Sequence, residues 1–145
     1  MKKIILLSLL LLTLYNATSQ NWTTDLEDAK LIASQNKKKI VLVFQGSDWC
    51  APCIKLDRDI WSTEEFRAYA NDNYVMVKAD FPRKKKNALS EVQQEKNNKL
   101  AELYNKKGHF PFVVILDSTG KILGETGYLK TSPNNYITHI NSFTK

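Results

Sequence analysis

The chain reads as an α/β domain: a central mixed sheet with helices on both faces, closed by a C-terminal β-hairpin and a last helix. Three observations carry that reading. Apolar runs of strand length alternate with stretches of helical period. The runs "IVLVFQ" and "FVVILD" are apolar at nearly every position rather than at every second one. The last two runs are separated only by Ser118-Thr119-Gly120 and a lysine. Strands that alternate with helices pair in parallel and are covered on both faces, so both of their sides must be apolar. A turn that short allows only antiparallel pairing.

Taken in order, Thr24 and Glu27 form a capping box ahead of Leu26, Ala29, Ile32 and Ala33, which share one face of a helix ending near Gln35. Lys37-Lys38-Lys39 turns the chain into the strand Ile40 to Gln45, and Gly46 ends it. From Cys50 onward, Ile54, Leu56, Ile60 and Trp61 predict a helix whose first turn contains the cysteines. Pro52 is tolerated there because a first turn has no internal hydrogen bond to lose. Ser62 and Glu65 make a second capping box before "TEEFRAYAN", and Tyr74 to Asp80 is the next strand. A basic loop from Phe81 to Leu89 leads to Ser90 and Gln93, which cap a helix reaching about Tyr104. After the hairpin, Ser132 as N-cap with Pro133 behind it opens a helix that turns Tyr136, Ile140 and Phe143 inward.

The first 19 residues stand apart from this pattern. Lys2 and Lys3 precede an apolar run from Ile4 to Leu14, and Ala17-Thr18-Ser19 supplies small residues for cleavage. That is the layout of a secretory signal peptide. The run falls well short of the ~20 residues that span a membrane. The expected organisation is a signal peptide over 1–19, cleaved after Ser19, and one domain over 20–145 in an exported, periplasmic protein. The two lysines are the leader's only charges, so removing it lowers the formal net charge from +6 to +4. The remaining excess lies in short clusters, Lys37 to Lys39, Arg83 to Lys86 and Lys106-Lys107, with no interleaved aromatics to stack bases. Solvated loops are the ordinary reading of such runs, and no nucleic-acid partner is expected.

Chemistry concentrates in "GSDWCAPCIKL", which holds both cysteines, Cys50 and Cys53. A metal site needs more ligands, and only His109 and His139 are left to supply soft ones, at no finger-like spacing. A structural staple around so short a loop gains little entropy. A redox couple suits the setting better. The N-terminus of a helix stabilises a thiolate, the nucleophilic form of cysteine, and the spacing predicts an exposed attacker with a shielded resolver one turn along. An exported protein also meets conditions in which disulfides persist.

The stretch "VLVFQGSDWCAPCIKL" resembles the strand–WCxxC–helix segment of the thioredoxin superfamily, and "YNKKGHFPFVVILDSTGKILGETGYL" resembles its second half. The likeness spans residues 22 to 143. The "FxGSDWC" opening, the "DFPRKKK" insertion and the "STEEF" helix look most like exported thioredoxin-like domains of Bacteroidetes-type bacteria. The resemblance implies a thioredoxin fold and a thiol–disulfide oxidoreductase, with Cys50 as attacking and Cys53 as resolving cysteine. It implies that Trp49 shields the pair, that Phe110-Pro111 is a cis-proline step beside the disulfide, and that Gly127 ends the hairpin at the substrate groove. The redox disulfide itself then serves in place of a cofactor, and no glycine-rich dinucleotide turn is present.

The same resemblance marks departures. Phe44 stands where thioredoxins carry a buried aspartate six residues before the first cysteine, while Lys78, its usual partner, is retained. Asp48 is expected to oppose thiolate formation or to relay a proton. Phe110 is bulkier than the usual residue and predicts a narrower, more apolar groove. Ala51-Pro52 is close to the Gly-Pro of reducing thioredoxins, so a reductase is expected, resupplied by a membrane thiol–disulfide electron donor and acting on substrate proteins. Oxidase or isomerase action, or a non-catalytic binding module with a permanently closed disulfide, are the alternatives.

Overall fold

The computed structural model describes residues 20–145, so the signal-peptide reading lies outside the described residues. The elements run β1 (Trp22–Thr23), α1 (Leu26–Asn36), β2 (Lys39–Gln45), α2 (Ala51–Leu56), α3 (Glu64–Asn73), β3 (Tyr74–Asp80), α4 (Glu91–Tyr104), β4 (Phe112–Leu116), β5 (Ile122–Thr126) and α5 (Pro133–Asn141). One π-helical turn, Asp57–Trp61, continues α2, and 3-10 turns cover Lys85–Asn87 and Ser142–Thr144. The sheet order is β1-β3-β2-β4-β5. β3 pairs in parallel with β1 and β2, whereas β4 runs antiparallel to both β2 and β5. This is the α/β arrangement that the element order predicts, and the thioredoxin fold that the resemblance implies.

The continuously apolar strands serve two layers. Val41, Val43, Met76, Val113 and Ile115 meet Leu56, Ile60, Trp61, Phe66, Tyr136 and Ile140 on one face. Leu42, Phe44, Val75, Val77, Val114 and Leu116 meet Leu26, Ala29 and Ala33 of α1 and Leu100 of α4 on the other. Successive strand residues point to opposite faces, so one strand feeds both cores.

Several local expectations shift. Asp25, not Thr24, caps α1: its carboxylate accepts the N–H groups of Glu27 and Asp28, while Thr24 bonds Gln93 of α4. Thr63, not Ser62, caps α3 by accepting the Phe66 N–H, because Ser62 still belongs to the π turn through its N–H to Asp57 O. Ile32 and Ile54 are partly exposed rather than inward. β1 was absent from the predicted order. It is only two residues long and exists through pairing with Met76 and Val77. The caps at Ser90 and Ser132 fall as predicted.

Candidate active site

β2 delivers the chain to the site, and Gly46 lets it turn. The Trp49 and Cys50 N–H groups both bond Gly46 O, at 3.3 and 2.9 Å. The Trp49 indole folds back onto Gly46 so closely that any Cβ there would strike the ring. Cys50 then caps α2 in an extended conformation, and its Sγ accepts the Cys53 N–H at 3.3 Å. The two sulfurs are bonded, with Cα atoms 5.2 Å apart.

The expected contrast between an exposed and a shielded cysteine is absent: each is 4% exposed. The two differ in their surroundings instead. Cys53 borders a cavity of ≈ 240 Å³ together with Gln45, Ser47, Ile54, Asp57 and Lys78. Cys50 does not line it.

Phe44 does not take the place of an acid beneath the cysteines. It lies in the α1–α4 core with its ring 6.3 Å from that of Phe112. Strand alternation puts Gln45, which follows Val41 and Val43 on the α2 face, against Cys53. Lys78 also faces this layer, register-paired with Val43, and its ammonium lies 4.5 Å from the centroid of the Trp22 ring. Gln45 and Asp57 were missed from the sequence. The period of two along β2 and the one-turn spacing of Asp57 from Cys53 are the signals that reveal them.

Asp48 also has an occupation that the sequence did not reveal. Its carboxylate accepts the N–H groups of Arg83 at 2.9 Å and Lys84 at 3.0 Å, and the Asn87 amide at 2.8 Å. These bonds, that from the Arg83 N–H foremost and the Asn87 amide next, hold its pKa below the usual carboxylate range. Trp49 joins the same clamp. Its Nε1 donates to Phe81 O at 2.7 Å, and the Arg83 guanidinium stacks 3.6 Å from a ring centroid.

On the other flank, Phe110-Pro111 is a cis peptide bond. The Phe110 ring meets those of Trp49 and Phe81, each at 5.5 Å between centroids. Asn105, 4% exposed, fixes the approach to this step by bonding the backbone N–H and O of His109. Pro111 and Gly127 line one groove of ≈ 620 Å³, and a Cβ on Gly127 would come to 3.2 Å from Pro111 O. His139 Nε2 bonds Thr126 Oγ1. The structure thus brings Cys53, bonded to Cys50, and Lys78 to one cavity, Trp49 with Phe110 into an aromatic cluster, and Pro111 with Gly127 into a groove.

A disulfide spanning one turn at the start of a helix, on this sheet, with Trp49 beside it packed on the Phe110 that precedes a cis-proline, defines a thiol–disulfide oxidoreductase. The chain belongs to the thioredoxin-like family, whose sequence model matches residues 21–118. It is 35% identical over 130 residues to the disulfide bond reductase DsbH of Chlamydia pneumoniae, covering 90% of this chain and 74% of that protein. A solved DsbH oxidoreductase superposes with a TM-score of 0.80 at 35% identity, over 88% of this chain and 85% of that one. A disulphide isomerase from Xylella fastidiosa Temecula1 shares the fold, with a TM-score of 0.61 at 20% identity over 88% of this chain and all of that one.

Proposed function

We propose that the protein is an exported protein-disulfide reductase in which Cys50 attacks and Cys53 resolves. The carrying observation is the placement of Cys50 Sγ at the helix cap, on the Cys53 N–H, because a donor aimed at sulfur favours the thiolate. In the dithiol form, the Cys50 thiolate attacks one sulfur of a substrate disulfide and the other leaves as a thiolate that takes up a proton. Cys53 then loses its proton and attacks Cys50 Sγ, which closes the Cys50–Cys53 disulfide and frees the second substrate thiol. Two electrons pass to the substrate with two protons, one shed by Cys53 and one from the solvent that took up the Cys50 proton when its thiol ionised. A donor dithiol, supplied by a membrane electron conduit, resets the couple.

The reducing direction is supported by the Ala51-Pro52 dipeptide and by the disulfide bond reductase activity for which the DsbH relative is named. Export to the periplasm, with cleavage after Ser19, is supported by the charge and hydropathy pattern of residues 1–19, and a Bacteroidetes-type source by the likeness of the "FxGSDWC", "DFPRKKK" and "STEEF" segments. In this reading Trp49 and Phe110 wall the exchange centre, Pro111 and Gly127 hold the substrate backbone, and Ala51, Pro52, Asp48 and Lys78 tune the pair. No cofactor beyond the disulfide is required. Insulin turbidity with dithiothreitol as donor tests the proposal: the wild type accelerates precipitation and Cys50→Ser does not. Equal rates for both would favour a non-catalytic binding module.

A further inference from the structure

We propose that the Arg83–Lys86 loop is a selecting arm that draws acidic polypeptide segments to the Cys50–Cys53 disulfide, an inference that rests on the exchange reading above. Four successive cations on an exposed loop are ordinarily just solvated. These are fastened to the site. The Asp48 carboxylate, two residues before Cys50, accepts the backbone N–H groups of Arg83 and Lys84 and the side-chain amide of Asn87. Trp49, immediately before Cys50, bonds Phe81 O and carries the Arg83 guanidinium on its ring. The position of the arm is therefore set by the residues that also place the nucleophile.

The local charge is net positive, with Arg83 to Lys86 and Lys78 against Asp48, Asp57 and Asp80. Arg83, Lys84, Lys85 and Lys86 are all exposed, and among the described residues none forms a salt bridge. Two of the nearby acids keep their charge but hydrogen-bond to neutral groups rather than to these cations, Asp48 to the loop backbone and Asp80 to the Ser47 N–H and hydroxyl. In the groove of Pro111 and Gly127, Lys106 and Lys107 stand against Glu125 as its one acid. Cations focused on the rim of a binding site speed the encounter with anionic partners, and salt screens the effect. The fitting occupant is a protein segment rich in Asp or Glu around its disulfide, since the arm flanks the exchange centre itself.

The test uses two peptides with the same disulfide loop, one flanked by glutamates and one by lysines, reduced by the dithiol form of the protein. At about 20 mM salt the Glu-flanked peptide is expected to show a kcat/KM about tenfold higher, falling toward parity near 300 mM. The triple variant Lys84→Glu, Lys85→Glu, Lys86→Glu is expected to abolish or invert that ratio. Equal kcat/KM values, a preference indifferent to salt, or an unchanged ratio in the variant overturns the arm while leaving the exchange reading intact. Reduction of neither peptide overturns both. Capture by phosphatidylglycerol vesicles without any peptide preference assigns the loop to a membrane surface and overturns the proposal.

Discussion

Gln45 and Cys53 line the same cavity, while Phe44 faces the opposite core. The β2 side chain that shares a cavity with the resolving cysteine is therefore a neutral amide, with Lys78 and Asp57 in the same lining, rather than a phenyl ring or a buried acid.

Substituting Gln45→Glu places a carboxylate against Cys53. As an anion it raises the Cys53 thiol pKa, and as a base it accepts the proton that Cys53 sheds. The expected outcome is a resolution rate that gains a new pH dependence, read by single-turnover decay of a trapped mixed disulfide at several pH values. Phe44→Asp behaves differently. It buries an unpaired charge in the α1–α4 layer, and a loss of about 4 kcal/mol or more is expected in urea melts, with no faster resolution.

Cys53→Ser is expected to accumulate a mixed disulfide with substrate through Cys50, visible on non-reducing gels and by mass. Cys50→Ser is expected to accumulate none. The reverse pattern would exchange the roles of the two sulfurs.

The Asp48 clamp carries its own pH signature. Its folded-state pKa is depressed, so the stabilisation it gives is present above the ordinary value of 3.8 and is lost as pH falls through the lower folded value. At neutral pH, Asp48→Ala is expected to raise amide exchange across residues 83–87, while residues 39–45 of β2 stay protected. In the wild type the same loosening should appear only under strong acid.

Gly46→Ala pushes a methyl group into the Trp49 ring, backbone against indole. Overpacking of this kind costs about 1–3 kcal/mol. Because the displaced ring also carries Arg83 and meets Phe110, the variant is expected to change tryptophan fluorescence and lower activity on protein substrates together.

Much of this was legible in the sequence. The runs of β2, β3 and β4 are apolar on both sides because each strand feeds two cores, and the caps at Ser90 and Ser132 stand clear of competitors. At Thr24-Asp25 and Ser62-Thr63 two good capping residues are adjacent, and only the local backbone decides between them. β1 escaped because Trp22 and Thr23 form a strand only through β3. Counting six residues back from Cys50 led to Phe44, whereas alternation along Val41, Val43 and Gln45 leads to the residue that faces the site. The stacking of Arg83 on Trp49 joins positions far apart in the chain, and no local pattern encodes it.

The central claim is that the couple works as a reductase, and its equilibrium with glutathione tests it most directly. Fractions of Cys50–Cys53 dithiol and disulfide, measured by alkylation across a series of glutathione ratios, yield the potential. A value more negative than about −200 mV is predicted, toward the thioredoxin end of the range. A value more positive than that, toward the isomerase and oxidase end, would contradict the account.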